Sequence, residues 1–89
     1  MTEITTGIAV TVRFFAAARD AAGADSRTLT LSAGATVADA ISELSGHSGE
    51  MALVLQKCSY LCDGVAVRDR TAVLEDGQTL DVLPPFAGG

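Results

Sequence analysis

Apolar and polar residues alternate strictly along the first patterned stretch of the chain. Ile8, Val10, Val12 and Phe14 alternate with Ala9, Thr11, Arg13 and Phe15, the period of two that a half-buried strand requires. A strand is therefore predicted over residues 8–15. The alanine-rich AAARDAAG that follows, closed by Gly23, predicts a short helix or helical turn. Alternation returns over residues 26–31, with Leu29 and Leu31 on one side and Thr28 and Thr30 on the other, until SAGAT breaks it.

The period then becomes helical. Val37, Ala40, Ile41 and Leu44 fall at i, i+3, i+4 and i+7 and make one apolar stripe. Thr36 is placed to cap this helix while Asp39 reaches back, an acidic variant of the capping box, and Gly46 is the expected C′ residue. After a loop at His47, residues 50–57 predict a second short helix that turns Met51, Val54 and Leu55 inward. CSYLC then runs into Asp63-Gly64, a type I′ hairpin signal. VAVRD, a turn at Glu75-Asp76-Gly77 and a last strand from Thr79 to Leu83 complete the pattern. Strand, strand, helix and further strands predict an α+β two-layer domain, a sheet packed on one main helix. The β-grasp, or ubiquitin-like, fold is compatible with this order, as are other two-layer folds. Residues 1–83 are expected to form the domain, with 1–7 flexible, and 84–89 a flexible tail ending in Gly-Gly.

Composition narrows the possibilities. Eighty-nine residues support a single core. The longest apolar runs, Phe14–Ala18 and Met51–Leu55, are five residues each, far short of the ~20 residues a membrane helix needs. The start, MTEITTG, has neither a basic nor an apolar signal region, so a soluble, cytoplasmic protein with no membrane partner is expected. Six basic residues face eleven acidic ones, a formal charge of −5 that repels nucleic-acid phosphates and suits a basic partner cleft.

Candidate chemistry is sparse. Four residues of strand would hold Cys58 and Cys62 about 13 Å apart. A disulfide needs alpha carbons within about 7 Å, so free thiols are expected and no metal site. His47 is the lone histidine and has no ligand partner at suitable spacing. Asp39 and Glu43 form an exposed i, i+4 pair expected to be solvated. No nucleophile elbow, dinucleotide fingerprint or phosphate loop is present, so no catalysis is expected from the chain alone.

What remains is a set of misplaced apolar residues and an unusual ending. Phe15 shares its strand side with Thr11 and Arg13, and Leu83 shares its side with Thr79 and Asp81. Both fall on the polar side of their strands, with Phe86 following in the tail, and two readings stand side by side: an apolar docking surface, or strand ends that twist or bulge and tuck these side chains under a loop. Pro84-Pro85 stiffens the exit from the last strand. Gly88-Gly89, with no Cβ, suits a channel too narrow for other residues. A terminal carboxylate with an intrinsic pKa of ~3.5 is ionised and inert until activated. ATP can convert it to an acyl-adenylate that accepts a sulfur or amine nucleophile.

LPPFAGG at the end, FFAAARDAAG after the first strand, ATVADAISEL in the helix and LCDGVAV in the hairpin together resemble the MoaD/ThiS family of ubiquitin-like sulfur carriers. The resemblance runs from about Ile8 to Gly89. Within the family, the double-proline, diglycine ending and the FFA segment look most like the MoaD type, the small subunits of molybdopterin synthase. The resemblance implies a β-grasp fold and no bound cofactor, with ATP used by an activating partner. That partner would be an E1-like (MoeB-like) enzyme that adenylates Gly89, whose carboxylate sulfur transfer then turns into a thiocarboxylate. Pro84, Pro85, Phe86, Ala87 and Gly88 would thread into the large (MoaE-like) synthase subunit, where sulfur passes to a cyclic pterin precursor during molybdenum-cofactor synthesis. Phe15, Leu83 and Phe86 would contact that partner. Phe86 is bulkier than the aliphatic residue such tails often carry after the prolines. Carriers for thiamine-thiazole or cysteine synthesis share the delivery chemistry, and a ubiquitin-like modifier would instead join Gly89 to target lysines.

Overall fold

Burial along β1 (Gly7–Phe14) alternates residue by residue, with Ile8, Val10, Val12 and Phe14 in the core. The computed structural model describes residues 7–85. Gly7 already belongs to β1, and the flexibility expected of the preceding residues lies outside the described ones, as do Phe86, Ala87, Gly88 and Gly89. After Phe15 the chain enters α1 (Ala16–Ala22), which ends at Gly23 in the left-handed conformation with φ of 73°. Glycine adopts this without the steric cost a Cβ would bring. Next come β2 (Ser26–Ser32), α2 (Val37–Ser45) and α3 (Gly49–Leu55).

α2 begins as its sequence dictates. The Thr36 hydroxyl accepts from the Asp39 N–H at 3.2 Å, and the Asp39 carboxylate accepts from the Thr36 N–H at 2.9 Å. Its end differs from expectation. Gly46 is a C-cap in the right-handed region, φ −70°, not a left-handed C′ residue. The chain winds on for another turn, His47 N–H donating to the Leu44 carbonyl, because Ser48 must arrive in place to cap α3. Ser48 Oγ accepts from Met51 N–H at 3.0 Å. The sheet thus packs under three helices, of which α2 is the longest.

β3 (Ser59–Cys62) and β4 (Val65–Ala66) form the predicted hairpin. Asp63 and Gly64 both take positive φ, 49° and 82°, as a type I′ turn demands. β4 is much shorter than VAVRD allowed. β5 (Thr79–Leu83) lies at the centre of the five-stranded sheet, whose order is β2-β1-β5-β3-β4. It runs parallel to β1 and antiparallel to β3, so the sheet is mixed. The acidic turn before it is stitched to β1: Asp76 accepts from Ala9 N–H at 2.7 Å, and Gly77 N–H donates to the Ala9 carbonyl at 2.8 Å.

The core lies between sheet and helices. Val10, Val12, Val37, Leu44, Met51, Leu55, Leu80 and Val82 are its largest fully buried side chains. Each such burial contributes about 1.5–3 kcal/mol against the entropy of ordering the chain. Cys58 precedes β3, so the cysteines do not share one strand as the spacing argument assumed. Both are nevertheless free thiols, Cys58 buried and Cys62 half-buried. No helix among the described residues is long and apolar enough to cross a membrane.

Candidate functional site

The last strand leads directly to the segment where the sequence concentrates its chemistry. Leu80 and Val82 are fully buried, while Leu83 and Pro84 are half-buried and Pro85 is exposed. Being central, β5 is paired with β1 through Val82 on one side and with β3 through its last residue on the other, where Leu83 lies opposite Ser59. The root of the tail is therefore fixed by the two ladders.

Phe15 lies beside this exit. The parallel register of β1 and β5 ends at Phe14 opposite Val82, one residue before Phe15 on one side and before Leu83 on the other. Phe15 keeps an extended backbone (φ −130°, ψ 149°), which turns its ring to the outer face, 39% exposed. Ala16 then reverses the chain with φ of 52°, a region that costs an L-residue roughly 1–2 kcal/mol. That sharp corner leaves Phe15 projecting at the end of its strand. On the helix side, an open groove of about 270 Å³ is lined by Ala17, Leu53, Val54, Lys57, Pro84 and Pro85. Leu53 is 65% exposed and is the residue that pattern reading missed. Its signal was present: Met51, Val54 and Leu55 account for the inward face of α3, which leaves a leucine facing out. Pro84, Pro85 and Leu53 thus meet at one place, with Phe15 and Leu83 on the sheet's other side.

The outer face of the sheet carries a paired charge. Arg13 and Asp81 are register partners in β1 and β5. Arg13 Nε and Nη2 donate to the two Asp81 oxygens at 2.6 and 2.9 Å, a bidentate fork. The same guanidinium stands 5.7 Å from the centroid of the Phe15 ring. Asp81, expected on a solvated side, is buried, because it lies on the central strand beneath the arginine. Asp81 holds the Arg13 proton more tightly still, raising its pKa.

A second polar arrangement underlies the tail root from inside. Tyr60, opposite Val82, is buried, and its hydroxyl donates to the Leu55 carbonyl at 2.9 Å. Burial, foremost, and then the Cys58 sulfur push its pKa up to about 12, although Arg70 stands 5.1 Å over the ring and opposes the shift. Burial likewise pushes the Cys58 thiol up, and its sulfur donates to the Val54 carbonyl at 3.2 Å. An unfolded tyrosine releases its proton near pH 10, whereas the folded one keeps it to about 12. The contribution is fully present below about pH 10 and is lost as pH rises through this window. Melting temperature should fall over that interval in the native protein. Tyr60→Phe, starting lower for want of the hydroxyl, should fall less; parallel curves would show that Tyr60 does not set the alkaline limit.

The remaining candidates are structural. His47 is exposed, its Nδ1 3.4 Å from Arg27 Nη1. Asp39 is committed to the cap of α2, and with Glu43 it lines an open polar hollow of about 510 Å³ beside the β2 edge. Among the described residues no group of three or more His, Cys, Asp or Glu side chains is placed to hold a metal ion.

A mixed sheet with a central, C-terminal strand parallel to the first strand, covered on one face by helices, defines a ubiquitin-like β-grasp protein. The chain belongs to the ThiS family, whose model matches residues 12–89. It is 29% identical over 82 residues to the molybdopterin synthase sulfur carrier subunit of Chlamydomonas reinhardtii, covering 90% of this chain and 98% of that one. A Haloferax volcanii protein solved in solution superposes with a TM-score of 0.85 at 28% identity, covering 100% of this chain and 93% of the other. A Pyrococcus furiosus structure assigned as molybdopterin converting factor, subunit 1, superposes with a TM-score of 0.81 at 26% identity, covering 89% of this chain and 99% of the other.

Proposed function

We propose that this chain is the sulfur carrier subunit of a molybdopterin synthase. The observation that supports this most is that the family match continues through the tail to Gly89. The β-grasp body is the scaffold, and β5, bonded on both sides, is a firm base for a segment that other enzymes handle. An E1-like enzyme would activate the Gly89 carboxylate: a carboxylate oxygen attacks the α-phosphorus of ATP and pyrophosphate leaves. A sulfide-level nucleophile (HS−) supplied by that system then attacks the acyl carbon, AMP leaves with the C–O bond electrons, and loss of the S–H proton gives a thiocarboxylate. The loaded tail enters the large synthase subunit, which directs the sulfur to a cyclic pterin precursor. Pro84 and Pro85 present the tail, and Phe15, Leu83 and Phe86 contact the receiving subunit. An acidic domain of charge −5 is steered toward a basic cleft.

Intact-mass measurement of the protein co-expressed with its activating enzyme tests the chemistry. A species heavier by the sulfur–oxygen difference, localised to Gly89, is expected. Its consistent absence would overturn the carrier reading, and high-mass lysine conjugates would favour a modifier. Carriers for thiazole or cysteine synthesis would load equally but fail to restore molybdopterin formation with the large synthase subunit.

A further inference from the structure

We propose that Arg13, anchored by Asp81, is a specificity-determining residue of the docking face. It holds the Phe15 ring in place and presents a positive charge that the receiving subunit must match with an acceptor. The proposal rests on the carrier reading and adds to it a pair that apolar pattern alone does not reveal.

Alternation assigns the outward positions of each strand. One row crosses the sheet through Ser26, Arg13, Asp81, Leu61 and Ala66, as the registers show. Among all outward strand positions described, only Arg13 and Asp81 are charged. The face is otherwise small, hydroxylic or apolar, and both carboxylate oxygens of Asp81 are taken up by Arg13. What the face offers a partner electrostatically is therefore the guanidinium, whose side chain is 54% exposed while that of Asp81 is 9%. Among the described residues Nη1 has no hydrogen-bond partner, so one donor group remains free.

Three physical consequences favour a role in recognition. A free arginine gives up much rotamer freedom on binding, but this one is already fixed by a fork and loses less. Its guanidinium stands 5.7 Å from the Phe15 centroid, within cation–π range, so cation and ring present together the kind of Arg–aromatic anchor that dominates interfaces. Finally, its sign opposes that of the domain. A basic cleft drawn in by the overall charge must still place a carboxylate or carbonyl opposite Arg13, and a misregistered complex would set like charges together.

A purely structural pair, pinning β1 to β5, is the competing explanation, and a charge swap separates the two. Arg13→Asp with Asp81→Arg restores the pair but moves the cation one strand across, away from Phe15. Binding to a purified large (MoaE-like) molybdopterin synthase subunit is measured by calorimetry at several salt concentrations, alongside thermal melts. The single Arg13→Gln is expected to weaken binding roughly tenfold or more and to reduce its salt sensitivity. The swap should recover thermal stability relative to the single variant, but not affinity. Arg13→Gln combined with Phe15→Ala should cost less than the two changes added, since they act as one unit. Recovery of both stability and affinity in the swap would overturn the proposal. If the swap does not fold, native affinity and native salt dependence in Arg13→Gln would overturn it alone. A native chain that fails to bind the large subunit at all would instead remove the assignment to molybdopterin synthase, and this proposal with it.

Discussion

Deleting Gly89 is expected to abolish molybdopterin formation while the domain melts as before. The proposed chemistry occurs at one carbonyl, and removing the residue that bears it moves the carboxylate to Gly88, one residue short of the site the tail must reach. A displacement of about 3.5 Å exceeds the tolerance of a near-attack geometry by a wide margin. Stability is not expected to follow, because among the described residues the core cluster ends at Val82 and the last ladder pair is Leu83 with Ser59. The experiment is complementation of a host lacking its own carrier, paired with a thermal melt of the purified truncation. Full activity would remove the carrier mechanism; a lost fold would show that the tail packs against the body.

Leu80→Ala should have the opposite profile, damaging the body before the chemistry. Leu80 is fully buried on the central strand, opposite Val12 on one side and Cys62 on the other. Emptying such a site costs about 2–5 kcal/mol, the transfer of the lost methyl groups plus the cavity left behind. Total stability for a chain of this size is on the order of 4–13 kcal/mol, at roughly 0.05–0.15 kcal/mol per residue. One substitution can therefore remove a large share of it. A urea midpoint shifted down at unchanged slope would confirm the loss. A shift worth under about 1 kcal/mol would mean that the helices collapse onto the vacancy.

Much of this architecture was legible in the sequence because it is written in local periods. The alternation through Phe14, the stripe from Val37 to Leu44 with its Thr36–Asp39 cap, and the Asp63-Gly64 turn each involve neighbours in the chain. Their structures follow from those neighbours. Phe15 was legible only in part: its phase puts it on the outer side, but pattern alone left open whether the strand end tucks the ring under a loop, and the ring is in fact exposed. Leu83 was only half legible: it lies on the outer side, but its place on a central strand leaves it half-buried. What pattern could not show depends on which strands meet. The fork between Arg13 and Asp81 joins residues 68 positions apart and exists only because β1 and β5 run parallel in one particular register. The same holds for Asp76 against Ala9. Gly46 was misread for a milder reason, since a glycine after a helix fits a left-handed stop but also permits a continuing turn.

The position of β5 also has a mechanical consequence. A segment at the edge of a sheet can be peeled away one hydrogen bond at a time, each yielding under a small force. β5 is held by β1 on one side and β3 on the other, and the chain passes from it directly into Pro84 and Pro85. A pull along the strand loads both ladders in shear, so that their bonds must yield together. Under the proposed function, an enzyme that drew the tail in or released it would meet a body that resists as a single unit.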